Sequence, residues 1–350
     1  MASYTSIIRE MIIPSSSSRP SSSKPHWDPN TSMPLLPDRI VIITGPTSGI
    51  GYETLRQLVL SSAHVYLFGR SLSRLEHTRS TLERECAEAL ASLPKTSSRY
   101  GATPGKMDLI QCDLSDLSSI KRAVEEFCQK ESRVDLVFGN AGVMTGGKTA
   151  QGYEQMWGTN VLGHHALLRL LLPALRESSA TRKSIQTGET RIILTASDTH
   201  RWVNKPIHLS LTDDASNPAL GHIHLYGRSK LGNVYTTSHL SQISTRENWG
   251  LTVCSVHPGG VKSQLGSSNR LLTGFKNLFL VPATLGAVTQ LWGGTGAAAD
   301  KVSGKYLVPY ARIGRESELA RDEKVRADVW SWCEQQCVKH GLIAQDEVIA

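Results

Sequence analysis

The sequence predicts an α/β fold, a doubly wound parallel sheet in a single domain. Three observations carry that prediction. Short apolar runs alternate with stretches of helical spacing, the order that a parallel sheet with crossover helices requires. The first run opens directly into a glycine-rich turn, TGPTSGIG at 44–51. Far downstream, Tyr226 and Lys230 stand four apart in YGRSK, after a strand that ends at Ser197.

The elements follow in order. RIVIIT at 39–44 is apolar enough for a strand buried on both faces, and a helix follows over 52–61. HVYLFG at 64–69 is a second strand, and the charged helix over 72–93 ends near Pro94. MDLIQC at 107–112 is a third, followed by an amphipathic helix over 117–131. VDLVF at 134–138 is a fourth and runs into Asn140-Ala141-Gly142. A long helix over 153–175 is expected to stop or kink at Pro173, which has no amide hydrogen to give. RIILT at 191–195, a helix over 226–245, and LTVCSV at 251–256 ended by HPGG complete the pattern, with a seventh strand at 305–308. No repeat and no second core interrupts it, so residues 37–350 read as one domain.

Residues 1–36 read differently. Runs of serine interleaved with Pro14, Pro20 and Pro25 cannot bury a core, and this leader is expected to be disordered. It is not Arg-rich as a transit peptide would be, and its apolar piece at 7–13 carries both Arg9 and Glu10.

Composition narrows the function. A chain of 350 residues, 39% hydrophobic and 20% charged, suits a soluble globular protein with a full core. The formal net charge of +7 suits a phosphate-rich ligand, and no run of Lys and Arg interleaved with aromatics argues for nucleic acid. No apolar stretch is long enough for a transmembrane helix. The six cysteines form no CxxC pair and no Cys/His cluster with zinc spacing, so no metal is expected. They read as reduced thiols of a cytoplasmic protein, with Cys333 and Cys337 spaced for packing.

The turn at Thr44–Gly51 has the strand-to-helix context of a dinucleotide site. Gly45 permits the sharp turn, and Gly49 and Gly51 remove side chains where pyrophosphate and strand approach the backbone, with Thr44, Ser48 and Ile50 beside them. The following helix start offers free amides and a positive dipole end to phosphate. An acidic residue ending the second strand would favour NAD. Arg70 and Ser71 stand there instead, with Arg74 one turn later; they suit a 2′-phosphate and predict NADP(H), the alternative being a solvated arginine at a helix start. Asp113 is placed beside the adenine or as the N-cap of the next helix. Asn140, Ala141 and Gly142 either let the cofactor lie across the sheet or form an ordinary turn.

Ser197, Tyr226 and Lys230 are the catalytic candidates. Tyr226 and Lys230 share one helical face. A free phenol, with a pKa of about 10, is a poor acid at neutral pH, and a nearby ammonium is expected to lower it. Ser197 would polarise a carbonyl, hydride would pass from nicotinamide to its carbon, and Tyr226 would supply the proton.

TGPTSGIG, CDLS, NAG, TNVLGH, TAS, YGRSK and HPGGVKS together resemble the short-chain dehydrogenase/reductase family over roughly 38–310, with its Rossmann-type sheet. NAGVM and GYEQMWGTNVLGHHALLRLLLP most resemble its retinol-dehydrogenase-like and WW-domain-oxidoreductase-like members and their fungal relatives. The resemblance implies that Asn160 positions a water for a proton relay with Lys230, and that Asn140 is structural. It also implies that Pro258, Gly259, Val261 and Ser263 contact the nicotinamide carboxamide, Ser263 standing where the family has Thr. Ser48 stands where NADP-preferring members carry a basic residue, which puts the weight on Arg70. A homodimer through the helices bearing Asn160 and Tyr226 is implied too.

The stretch 198–225, with its five-residue set His200, Trp202, His208, His222 and His224, reads as substrate wall. Residues 265–286, with Leu271, Leu272, Phe275, Leu278, Phe279 and Leu280, read as an apolar lid or as a core helix pair. A lid would fit a lipophilic substrate, such as a secondary metabolite, and loose association with lipid surfaces. The expected activity is thus NADP(H)-dependent interconversion of a carbonyl and an alcohol. The alternative is a non-catalytic NADP-binding regulator on the same fold.

Overall fold

Ile40–Thr44 form β1, and all five residues are buried. Alternate side chains leave it on opposite sides: Ile40 and Ile42 join one apolar core, Val41 and Ile43 the other. This is why the run is apolar from Ile40 to Ile43. The computed structural model describes residues 26–185, 189–203, 221–261 and 281–349. The further strands are β2 (His64–Gly69), β3 (Met107–Gln111), β4 (Leu136–Gly139), β5 (Thr190–Thr195), β6 (Leu251–Val256), β7 (Tyr306–Val308) and β8 (Arg312–Ile313). They pair in the order β3-β2-β1-β4-β5-β6-β7-β8, parallel except for the antiparallel β8.

On one face lie α1 (Gly49–Leu60), α2 (Leu72–Ala91) and α6 (Ala283–Leu291), packed through Leu55, Leu58, Leu75, Leu82 and Leu291. On the other lie α3 (Leu117–Lys130), α4 over 155–185, α5 (His222–Arg246) and α7 (Glu323–Lys339). The doubly wound sheet is thus as the sequence predicts. The order reverses between β1 and β4, so the crevice beyond their carboxyl ends is the place for a ligand. No helix among the described residues is long and apolar enough to cross a membrane.

Several expectations are corrected. Helix α4 passes through Pro173 and continues to Ile185. A mid-helix proline costs about 3 kcal/mol, but Leu171, Leu172, Ala174 and Leu175 around it are all buried, and their packing outweighs the lost bond. Helix α5 begins at His222, so the end of the 198–225 wall is helical, while 198–202 is a 3-10 turn and 204–220 lie outside the described residues. Of the expected lid, 265–280 lie outside them too. Residues 283–286 begin α6, and Gly286 is held against Val261 and Ile50.

Helix α7 is an element the sequence reading did not identify. Its N-cap is Asp322, whose side chain accepts from the Lys324 and Val325 amides. It packs on α4 and α5 of its own chain: Trp332 lies against Trp157, Glu334 bonds His165 at 2.7 Å and Arg169 at 2.7 Å, and Trp330 lies against His239 of α5. These are the two helices through which a homodimer is implied. Cys333 and Cys337 are buried in this seam, as packing residues.

Candidate functional site

The turn after β1 is built by contacts that leave no room for side chains. Gly45 has φ +66° and Gly49 φ +56°, in the left-handed region that glycine tolerates. A Cβ on Gly51 would lie 2.2 Å from the Gly45 carbonyl oxygen and 2.5 Å from Asn140 Nδ2, so only glycine lets α1 start this close to the strand ends. Ser48 caps α1 without a side-chain bond, which leaves the first amides for a ligand.

The segment after β4 is locked to this turn. Asn140 Nδ2 donates to the carbonyls of Thr44 (3.2 Å) and Gly45 (3.3 Å), and the Ala141 amide donates to Thr44 Oγ1 at 2.9 Å. This is more than an ordinary turn. Asp113 is not a helix cap. Its carboxylate accepts from the Ser115 amide (2.9 Å) and hydroxyl (2.7 Å), while Asp116 caps α3 through the Ser118 amide. Ser71 caps α2 through the Arg74 amide at 3.3 Å. Arg70 is exposed, and its guanidinium makes no hydrogen bond or ion pair among the described residues.

Asn160 sits in a π-helical turn, Gly158–Gly163, inside α4. Its Oδ1 accepts from the Val143 amide (2.8 Å), and its Nδ2 donates to the Val143 carbonyl (3.0 Å) and Ser229 Oγ (2.9 Å). Ser229 in turn donates to the Tyr226 carbonyl at 2.8 Å. The side chain expected to seat a water is therefore held largely by protein. Four residues on, the buried His164 bonds both Thr44 Oγ1 (3.1 Å) and the Asn160 carbonyl (3.0 Å).

Ser197 follows β5 and accepts from the Thr199 amide at 3.2 Å. A Cβ on Gly227 would stand 2.7 Å from the Thr199 carbonyl oxygen, so this glycine lets α5 lie against the Ser197 segment. Lys230 Nζ donates to the Thr195 carbonyl at 2.8 Å and lies 5.5 Å from the Tyr226 ring centre. Burial lowers the Lys230 ammonium to about 7 and raises the Tyr226 phenol. The phenol thus moves opposite to the expected direction, because desolvation favours both neutral forms and Nζ is directed at Thr195.

Beyond β6, His257 Nδ1 accepts from the amides of Asp198 (3.3 Å) and Gly259 (3.4 Å). Val261 pairs with Val281, and Ser263 lies outside the described residues.

These pieces line one cleft of about 1120 Å³. Thr44, Gly45, Ser48, Gly49, Ile50, Gly51, Arg70, Ser71, Asp113, Asn140, Ala141, Gly142, Ser197, Tyr226, Lys230, Pro258, Gly259 and Val261 all contribute to its wall. Asn160 does not; it stands behind the wall. Trp202, from the expected substrate wall, lines the cleft too, and so do Met144, Pro309 and Tyr310, which the sequence reading did not single out because they come from loops without a pattern. His164 was likewise missed, although its i+4 spacing from Asn160 was available as a signal.

The glycine cradle, the uncapped helix start and the two arginines fit a dinucleotide, and the serine, tyrosine and lysine fit proton transfer at its far end. Comparison with known proteins agrees with that geometry. A family model described as short chain dehydrogenase matches residues 39–199. A short-chain dehydrogenase/reductase of Armillaria gallica is 34% identical over 329 residues, covering 90% of this chain and 94% of the relative. Retinol dehydrogenase 12 of Homo sapiens is 31% identical over 301 residues, covering 85% of each. A crystal structure of an uncharacterised protein from Mycobacterium Paratuberculosis shares the fold, with TM-score 0.63 and 24% identity over 88% of this chain and 96% of that one. The chain belongs to the short-chain dehydrogenase/reductase family and is an oxidoreductase of it.

Proposed function

We propose that this oxidoreductase uses NADP(H) to interconvert a carbonyl and an alcohol on a lipophilic small molecule. One observation carries the reading: Ser197, Tyr226 and Lys230 line the same cleft as the glycine turn, with Arg70 and Arg74 at its other end.

Bound NADPH would supply the hydride; the protein's task is to hold it and to handle one proton. The α1 amides and the glycine turn would take the pyrophosphate, and Arg70, Ser71 and Arg74 the 2′-phosphate. Ser197 Oγ accepts from the Thr199 amide, which leaves its own hydroxyl hydrogen for a substrate oxygen. Tyr226, with its phenol raised by burial, keeps its proton at neutral pH and gives it to the oxygen that forms as the carbonyl carbon is reduced. Lys230 is fixed by Thr195, and its ammonium form has two further N–H groups to offer the cofactor or the phenolate left behind.

The apolar lining by Met144, Trp202, Val281, Pro309 and Tyr310 supports a lipophilic substrate, as does the name of the retinol relative. Because α7 covers α4 and α5 within the chain, we read the protein as working without the implied homodimer.

The test is NADPH oxidation by wild type and Tyr226→Phe over a panel of lipophilic ketones and aldehydes, with NADH as control. NADPH-dependent turnover that the variant loses is the expected result. Tight NADPH binding with no turnover across the panel overturns the catalytic reading in favour of a regulator. Equal efficiency with NADH overturns the cofactor choice alone.

A further inference from the structure

His164 is 1% exposed and touches neither the cleft nor solvent, yet both its ring nitrogens are engaged. A carbonyl oxygen only accepts, so the bond to the Asn160 carbonyl places the ring proton on Nδ1. Burial holds the imidazole at about 4, so at neutral pH Nε2 carries no proton and accepts from the Thr44 hydroxyl. That hydroxyl in turn accepts from the Ala141 amide at 2.9 Å. Every member of this series has one permitted role.

We propose that His164 is a positioning residue, a fixed tautomer that couples the dinucleotide turn to the catalytic helices. One end sets the Thr44 hydroxyl, and through it Ala141 beside the glycine turn. The other holds the main chain of Asn160, whose side chain fixes Val143 and, through Ser229, the Tyr226 carbonyl. The coupling passes through neutral hydrogen bonds alone, so it persists without a charge in the interior. It rests on the functional reading above.

Two substitutions separate the two ends. His164→Gln keeps an acceptor at the Nε2 position and loses the donor to Asn160. His164→Asn keeps a donor at the Nδ1 position and loses the Thr44 arm. NADPH fluorescence titration of the full chain reads the Thr44 end without needing a substrate. His164→Asn is expected to bind NADPH about tenfold more weakly and His164→Gln within about twofold of wild type, the loss of one buried hydrogen bond. With a carbonyl that turns over, the order reverses, and kcat falls about tenfold in His164→Gln with KM for NADPH little changed.

Equal NADPH affinity in the two variants, with melting temperatures lowered alike, would make His164 structural only and overturn the proposal. Wild type that binds neither NADPH nor NADH removes the functional reading, and this inference with it.

Discussion

His164 and His165 are consecutive on α4, each 1% exposed, and they face opposite ways. His164 looks toward the sheet and meets a hydroxyl and a carbonyl, both neutral. His165 looks toward α7 and meets Glu334, which also binds Arg169 and, through its second oxygen, the Ile349 amide at 3.0 Å. Burial raises the Glu334 carboxyl, but bonds from His165 and the charge of Arg169 bring it net below the usual range. The inner cluster therefore orients without charge, while the outer one anchors the end of the chain with charge. Two buried imidazoles of equal exposure take their roles from their partners.

The sharpest break in the comparison is chemical. Tyr226→Phe should cost about 10²- to 10⁴-fold in kcat, the usual worth of a general acid, with little change in melting temperature. Steady-state NADPH oxidation beside a thermal melt checks both. Glu334→Ala should do the reverse. Breaking a buried ion pair costs about 3–5 kcal/mol, so denaturant unfolding should show a large loss of stability while NADPH affinity of the folded protein holds. Equal loss of affinity would mean that the two clusters are not separate.

Acid titration sharpens the contrast next. His164, His200 and His257 are each held by burial at about 4. In the unfolded chain they titrate at about 6.5, so the unfolded state binds more protons between those values. Stability should be level above about pH 6.5 and fall as pH drops toward 4, by about 1.4 kcal/mol per pH unit for each proton taken up on unfolding. Urea midpoints measured from pH 7.5 to 4.5 test the slope. A flat profile would mean that these rings are already charged in the fold. The smallest effect lies outside both clusters: Arg70→Ala should narrow the NADPH-over-NADH preference by about tenfold, the scale of one charge-assisted bond, without moving stability. Unchanged kcat/KM ratios would exclude Arg70 as the discriminator.

How far the sequence discloses the molecule follows the same division. Strands β2 and β6 were legible to the residue, because a run buried on both faces is apolar at most of its positions. The glycine turn and the Tyr226/Lys230 pair were legible because each needs a fixed spacing on one element. Helix α7 was not: it buries Arg326 and Glu334 beside Trp330, so its inward face does not read as apolar. Asp113 and Asp116 are both plausible caps in CDLSDLS, and only the Asx turn to Ser115 separates them. The proton on His164 is a three-dimensional fact, set by which carbonyl it reaches.

The π-helical turn at Gly158–Gly163 has a consequence for how this stretch can vary. It holds one residue more than an α-helical turn does, and so rotates everything after it by about 100° relative to everything before. Deleting a single residue there would leave a regular helix but swing its later half round the axis, turning His164 away from Thr44 and His165 away from Glu334. Over these six residues, chain length is constrained alongside composition: a Cβ on Gly163 would stand 2.3 Å from the Leu114 carbonyl oxygen, and an insertion or deletion would strip both clusters of their partners at once.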